Sequence, residues 1–382
     1  MGRSNGVSLL LMKVLLAGTH FTPAVAVINE LKKRGDIQII YVGRKTTREG
    51  DSSPSAESAE IPKLGVKFIP LIAGRLQRTF TPYTIPSLLK IPVGFTQSLW
   101  IILSQNPDVV LSFGGYVGLP LVIAGWLFSK PVIIHQQTLV SGLANKISSL
   151  FADIIAVSFE NQANSSSKVI LTGNPLRDGI LNPVKKIPPD FIQLLKYSKR
   201  NRLPLMLIMG GNQGSHIINT TVEKILPQLI KSACVIHLTG DNKFADYERL
   251  KKFQSERYIV KKWIGEELGK ILSEVDLAVC RSGINSLVEL AFFNVPALVI
   301  PIPYLYQDEQ NKNAKYFEHL GMVRILPQSK LTGKSLLKTV KAFFRNLATF
   351  KKQTNNARKI IVPDAAKRLA LETILLAERD RL

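Results

Sequence analysis

The chain is short of cysteine, histidine and acidic residues, and each shortage narrows what it can be. Its only cysteines are Cys234 and Cys280. Both stand in apolar, strand-like runs. They give no disulfide framework and no metal-ligand spacing, and they suit a reducing cytoplasm. There is no Asp-x-Asp string, so a metal-bridged diphosphate is not indicated. The 28 acidic residues face 50 lysines and arginines, for a net charge of +22. That excess implies an acidic partner: nucleic acid, anionic lipid or a phosphorylated substrate. No helix-turn-helix pattern and no basic stripe interleaved with aromatics is present, so nucleic acid is not expected. Internal repeats and low-complexity tracts are also absent. With 46% apolar residues the chain is no candidate for disorder, and its length suits two domains with separate cores.

A clean long hydrophobic run is missing too, although two stretches imitate one. Residues 7–17 follow Arg3 like a signal segment, but Lys13 interrupts them and no cleavage site follows. The expectation is a dispensable leader, Met12 as the true start and a first strand at 13–17. Residues 109–129 carry no charge and have the length of a membrane span. Gly114, Gly115, Gly118 and Pro120 break them, so they read as strand, glycine loop and helix.

What is present is a repeated α/β pattern. Its most informative part is 276–314. Residues 276–280 form a short buried strand, Arg281-Ser282-Gly283 a turn, and 284–294 a helix. Ile284, Leu287, Val288, Ala291 and Phe292 make that helix's apolar stripe. Residues 296–303 return as a strand, giving a unit of a parallel sheet. Such a turn leaves free N–H groups of a helix start at the carboxyl edge of the sheet, where anions bind. Glu289 falls off the stripe, where a carboxylate can accept both hydroxyls of a ribose. The competing explanation is a capping box between Ser286 and Glu289 that binds nothing.

The first half opens in the same manner. A strand at 14–17 is followed by a turn, then a helix with Thr22 as expected cap and Pro23 at its first position. His20 lies in that turn. It is either a general base near a ligand crevice or a histidine that only caps the loop. A second glycine loop, 114–118, follows a strand at 108–113. Residues 75–93 combine Arg75, Arg78 and Lys90 with Phe80, Tyr83, Leu88, Leu89 and Ile91, which suits a loop on an anionic membrane surface, followed by a core helix at 94–104. Residues 181–204 are expected to be exposed. The second half begins with a strand at 205–209 and the turn Gly210-Gly211-Asn212-Gln213-Gly214-Ser215, which lets backbone N–H groups approach phosphate. Two helices, near 333–347 and 363–380, are expected to close the chain.

Cys280-Arg281-Ser282-Gly283, Glu289 and the later Asp308, Gln310, Asn313 and Ala314 together resemble the MurG family of glycosyltransferase family 28, the lipid-linked N-acetylglucosaminyltransferases of peptidoglycan synthesis. The resemblance runs from Met12 onward. It implies α/β class and GT-B architecture: two Rossmann-like parallel-sheet domains facing a cleft. The expected division is an acceptor and membrane domain at 1–172 and a UDP-sugar domain at 173–362, with the last helix, about 363–382, packing back on the first. It implies inverting transfer of N-acetylglucosamine from UDP-N-acetylglucosamine to the 4-hydroxyl of undecaprenyl-pyrophosphoryl-MurNAc-pentapeptide, in cell-wall biogenesis. The place implied is the cytoplasmic face of the membrane, as a peripheral protein, without cofactor. The alternatives are a relative using another lipid acceptor and a catalytically weak scaffold that binds UDP-sugar.

Carried over residue by residue, the resemblance makes His20 the base. It assigns donor contacts to Arg177, Gly211, Asn212, Gln213, Ile264, Ser282, Gly283, Ile284, Asn285, Ser286, Leu287, Val288, Glu289 and Gln310. Thr19, Gly114, Gly115, Tyr116 and Thr138 fall on the acceptor and cleft side. Three positions depart from the family. Thr19 meets His20 directly, two glycines short of the usual loop. Thr138 stands for an asparagine, and Asn212 for a serine.

Overall fold

The computed structural model describes residues 11–46, 54–74, 84–163, 166–211 and 213–380. Expectations resting on the leader, Arg75, Arg78 and Asn212 lie outside these residues. The chain divides into two compact units, one of Met1–Pro175 with Asp364–Leu382 and the other of Leu176–Pro363.

The first unit holds a seven-stranded sheet. Its strands are β1 (Met12–Ala17), β2 (Ile37–Gly43), β3 (Lys67–Pro70), β4 (Val109–Ser112), β5 (Val132–Gln136), β6 (Ile154–Val157) and β7 (Val169–Leu171). They lie in the order β3-β2-β1-β4-β5-β6-β7, every pair parallel. The central strands β1, β4 and β5 are short and almost wholly buried, as parallel strands under helices must be, while edge strands β3 and β7 are only partly covered. One face is covered by helices Phe21–Lys32 and Ala365–Arg379, which bring Val27, Leu31, Leu369 and Ala377 against Leu16, Tyr41 and Leu111. The chain's final helix thus belongs to the core of its first unit. The opposite core joins Leu15, Val110 and Ile134 to Ile101, Ile102, Val117 and Leu121.

The second unit holds six strands: β8 (Leu205–Met209), β9 (Cys234–Leu238), β10 (Tyr258–Lys261), β11 (Leu277–Cys280), β12 (Ala297–Val299) and β13 (Val323–Ile325). Their order is β10-β9-β8-β11-β12-β13, again all parallel. Strand order therefore reverses between β1 and β4 in one sheet and between β8 and β11 in the other. At such a reversal successive crossovers go to opposite faces, and the loops beyond the strand ends open a crevice for ligand.

Four local expectations change. The membrane loop at 75–93 and core helix at 94–104 are replaced in part by one helix, Thr84–Gln105, which carries Pro92 inside it. That proline forfeits one backbone hydrogen bond without ending the helix. Residues 181–204 are not simply exposed. Helix Pro189–Asn201 starts with proline at its first position and buries Phe191, Leu194 and Ser198. Three helices close the chain, because polar Leu347–Lys359 lies between Gly333–Arg345 and Ala365–Arg379. Helix Phe21–Lys32 has His20, not Thr22, at its N-cap, with no side-chain cap. Residues 109–129 are β4, a glycine turn and helix Gly115–Leu127. Among the described residues one helix window, Ser87–Gln105, is long and apolar enough to cross a membrane. Its Ile101 and Ile102 are packed into the first unit's core.

Candidate active site

In the second unit the reversal between β8 and β11 is bridged by side chains. Arg281, the first residue beyond β11, donates from Nη1 to the Ile300 carbonyl at 2.7 Å and from Nη2 to Ser215 Oγ at 2.9 Å. Ser215 is the N-cap of helix His216–Leu229, which follows β8. Arg281 is buried, and no carboxylate forms an ion pair with it among the described residues. Burial lowers its pKa yet leaves a guanidinium charged at neutral pH. A buried cation without an anion is costly unless a ligand supplies one.

The surrounding backbone is arranged for close approach. Gly210, Gly214 and Gly240 each have backbone where a side chain would stand: Ser215 N, Thr239 O and Gly214 N respectively. Gly211, at φ +85, and Gly283 face open space instead. Gly283 is the N-cap of helix Ile284–Phe292 and provides no side-chain cap. Leu287 N–H donates to the Gly283 carbonyl and closes the first turn. The helix start therefore presents amide donors and the positive end of a dipole beside Arg281.

Glu289 departs from its expected setting. Although off the apolar stripe, it is buried. Its Oε1 accepts from Arg177 Nη2 at 2.8 Å and Nε at 3.2 Å. The capping box with Ser286 is also absent, since Ser286 lies inside the helix and Gly283 is its cap. Ile284, Leu287 and Val288 are buried core side chains, so only their backbone can serve a ligand. Asn285 and Ser286 are half-buried. Ser282 Oγ donates to the Gln310 carbonyl at 2.8 Å, and Gln310 Oε1 accepts from Ile302 N–H at 3.0 Å. Gln310 is thereby fixed with its amide nitrogen as the group left to donate. Gln213 is exposed in the loop after β8, and Ile264 is half-buried between β10 and helix Leu268–Leu272.

At the first unit's reversal the two glycine turns interlock. A side chain on Gly115 would strike Thr19 Oγ1, and one on Gly114 would strike Asn145. The amide donors here have internal acceptors. Thr19 N–H donates to Gly114 O, Gly114 N–H to Ser112 Oγ and Gly115 N–H to Asn145 Oδ1. His20 is half-buried at the start of its helix. Desolvation, and then the charge of Arg44, lower its pKa to about 4, so the ring is neutral at pH 7 and can accept a proton. Burial also lowers His135 to about 4, against a hydrogen bond with the Gly173 carbonyl at 3.1 Å. Thr138 donates its hydroxyl to Val140 O and is tied there rather than to the glycine turns.

Sequence reasoning assigned no role to Arg281, Ser215, Asn145 or Arg44. Arg281 stood inside a quoted motif. The signal available for it was a lone arginine between an apolar strand and a helix start.

Two doubly wound parallel sheets, each with glycine turns at its reversal, make up the GT-B architecture. Residues 14–157 match the glycosyltransferase family 28 N-terminal domain and residues 205–369 its C-terminal domain. The chain belongs to glycosyltransferase family 28. Relatives named UDP-N-acetylglucosamine–N-acetylmuramyl-(pentapeptide) pyrophosphoryl-undecaprenol N-acetylglucosamine transferase match over nearly their whole length. The one from Thermoanaerobacter sp. (strain X514) is 30% identical over 94% of this chain and 98% of its own. The one from Natranaerobius thermophilus is 31% identical over 95% of this chain and 100% of its own. Among solved structures, Acinetobacter baumannii MurG superposes with a TM-score of 0.71 at 23% identity, over 95% of this chain and 99% of that one. The calicheamicin glycosyltransferase CalG4 gives 0.67 at 13% identity, over 96% and 98%.

Proposed function

We propose that this protein transfers N-acetylglucosamine from UDP-N-acetylglucosamine to the 4-hydroxyl of undecaprenyl-pyrophosphoryl-MurNAc-pentapeptide. The observation that carries the donor half is Arg281, a buried guanidinium bridging the β8 and β11 turns with no carboxylate paired to it among the described residues. A nucleotide diphosphate supplies the missing anion. Gly211, Gln213, Ser282 and Gly283 line its approach, and Glu289 accepts from the ribose through Oε2 while Arg177 holds Oε1. Ile264 meets the base through its backbone, and Gln310 donates to the sugar. Departure of UDP leaves charge on the diphosphate, which Arg281, Arg177 and the helix start stabilise. No metal has a part in this scheme, so a chelator is expected to leave the rate unchanged. His20 takes the proton of the attacking hydroxyl, and attack opposite the departing UDP inverts the anomeric carbon.

The acceptor's lipid tail requires a membrane surface, and the first unit offers one. Neighbouring helices Thr84–Gln105, Gly115–Leu127 and Leu143–Phe151 expose Leu89, Trp100, Leu103, Trp126 and Leu150. Apolar side chains of this size, on a chain of charge +22, suit peripheral attachment to the anionic cytoplasmic leaflet. The decisive experiment follows radiolabelled N-acetylglucosamine from the nucleotide into the lipid-linked muramyl-pentapeptide. Failure of label to enter lipid with this acceptor, while UDP-N-acetylglucosamine binds, would overturn the proposed transfer.

A further inference from the structure

Positive charge is spread unevenly along the chain. Residues 319–363 hold seven lysines and three arginines and no aspartate or glutamate. They include helices Gly333–Arg345 and Leu347–Lys359, the first of which packs Leu336, Val340 and Phe343 into the second unit's core. The turn between these helices borders a cavity of about 560 Å³. Pro204 and Asp276, which also line it, directly precede β8 and β11. The cavity is therefore at the amino edge of the sheet, whereas the donor turns are at the carboxyl edge.

Arg202, Lys341 and Arg345 stand around this cavity, with Leu203, Phe344 and Leu347 as its apolar wall. Among the described residues none of the three cations has an ion pair or a side-chain hydrogen bond. The carboxylate on the wall, Asp276, is already engaged: Oδ1 accepts from Lys351 Nζ and Oδ2 from Leu205 N–H. An adjoining cavity of about 410 Å³ shares Arg202, but its other cations, Lys199 and Lys351, pair with Glu274 and Asp276. Charge is thus neutralised in one cavity and left over in the other. Arg202 also stands at φ 53 where helix Pro189–Asn201 ends, a left-handed conformation that glycine takes without strain. An arginine kept there forgoes backbone stability. We infer that the larger cavity is a second anion site, which takes the phosphate groups of a small soluble phosphorylated molecule on Arg202, Lys341 and Arg345. Its volume falls in the range of small-molecule pockets, and a guanidinium fork matches phosphate oxygens. Among the described residues no large apolar side chain is exposed on 319–363 or on the cavity wall. Nothing there enters a bilayer, so the ligand comes from solution.

Binding of inorganic pyrophosphate is measured by calorimetry at physiological salt, which screens the general positive charge, with UDP present to fill the donor turns. The wild type is expected to bind pyrophosphate at one site per chain. Arg202→Gln with Lys341→Gln and Arg345→Gln should bind it roughly 10-fold more weakly or worse, the loss of charge-assisted hydrogen bonds, with the affinity of the donor turns for UDP unchanged. The charge-matched variant Lys330→Gln with Lys334→Gln and Lys338→Gln removes three exposed cations that do not line the cavity, and should bind as the wild type does. If UDP enters the cavity as well, its own titration shows two sites per chain and the first triple variant loses one, which supports the inference equally. Arg202→Gly relieves the backbone while removing the guanidinium, so it should be no less stable yet bind more weakly. It carries the test if the first triple variant does not fold. Equal weakening in the two triple variants would show only a diffuse charge effect and overturn the inference. So would wild-type affinity in the first triple variant, or in Arg202→Gly if that replaces it. A wild type that binds neither pyrophosphate nor a second UDP overturns it too, and if that protein loses attachment to phosphatidic-acid vesicles through the first triple variant alone, the cavity belongs to a lipid headgroup instead.

Discussion

Arg177 donates to Glu289 from Nε at 3.2 Å and from Nη2 at 2.8 Å, and both bonds end on Oε1. The carboxylate is buried on helix Ile284–Phe292, whereas the guanidinium is about one-third exposed. Glu289 thus orients Arg177 through one oxygen, and the proposed ribose contact falls to the other. Glu289→Ala should weaken UDP-N-acetylglucosamine binding by about 1–3 kcal/mol, the scale of a charge-assisted hydrogen bond. Because the pair is partly buried, the same change should also lower stability, unlike a change on an exposed face. Calorimetry and melting should be read together. Unchanged affinity in a folded Glu289→Ala would remove the ribose role and leave an ion pair only.

Arg281 allows a stricter comparison. Arg281→Lys retains a charge but cannot reach both Ile300 O and Ser215 Oγ as the planar fork does. UDP affinity should fall by roughly tenfold or more, with Arg281→Met lower still. Melting temperatures should move the other way in the unliganded protein, since Met removes an uncompensated buried charge. Tighter UDP binding in Arg281→Met would show that the guanidinium is structural.

The donor turn was legible because its signals are local. The stripe from Ile284 to Phe292 gave the helix, and the Arg281-Ser282-Gly283 turn gave its start. Glu289 was legible as off the stripe but not as buried, because Arg177, which covers it, is a distant residue in sequence. The same non-locality hid the Arg281–Ser215 bridge and the Arg44–Glu57 pair. Helix Leu347–Lys359 was missed for a different reason. Its buried face contains only Thr354 and Ala357, too little apolar contrast for a period to show.

His20 is expected to be the base, and its depressed pKa gives the pH dependence. Burial and Arg44 hold it near 4 instead of 6.5, so it stays neutral down to about pH 5 in the free enzyme. The acid limb of kcat/KM should therefore lie well below 6.5. His20→Ala should lower kcat by roughly 10²–10⁴-fold with donor affinity intact. An acid limb at 6.5 that survives in His20→Ala would belong to another group.

Stability should fall in acid for a related reason. His237 is buried between Tyr258 and Asn219, and desolvation lowers its pKa to about 3. Above pH 6.5 neither folded nor unfolded chain protonates it. Below 6.5 the unfolded chain takes a proton that the folded chain refuses, so stability is lost progressively toward pH 3. Each pH unit in that window costs about 1.4 kcal/mol for such a histidine. His237→Gln should flatten the dependence of unfolding free energy on pH by about one proton. An identical slope in the variant would mean that other groups dominate.

Membrane attachment should have two separable components. Trp100 and Leu103 are 63% and 60% exposed on helix Thr84–Gln105, and burying them in the headgroup region contributes the same with neutral or anionic lipid. Arg75 and Arg78 precede that helix in sequence and Lys90 lies within it, and each is expected to contribute on the order of 1 kcal/mol only where the surface is anionic and salt is low. Trp100→Ser with Leu103→Ser should therefore reduce pelleting with vesicles of either charge. Replacing Arg75, Arg78 and Lys90 by glutamate should abolish the salt-sensitive part and leave UDP binding intact. Pelleting of the triple variant with anionic vesicles at wild-type level would exclude these cations from the contact. Release by detergent alone, with salt and both sets of substitutions ineffective, would instead mean that the apolar helix enters the bilayer and does not lie on it.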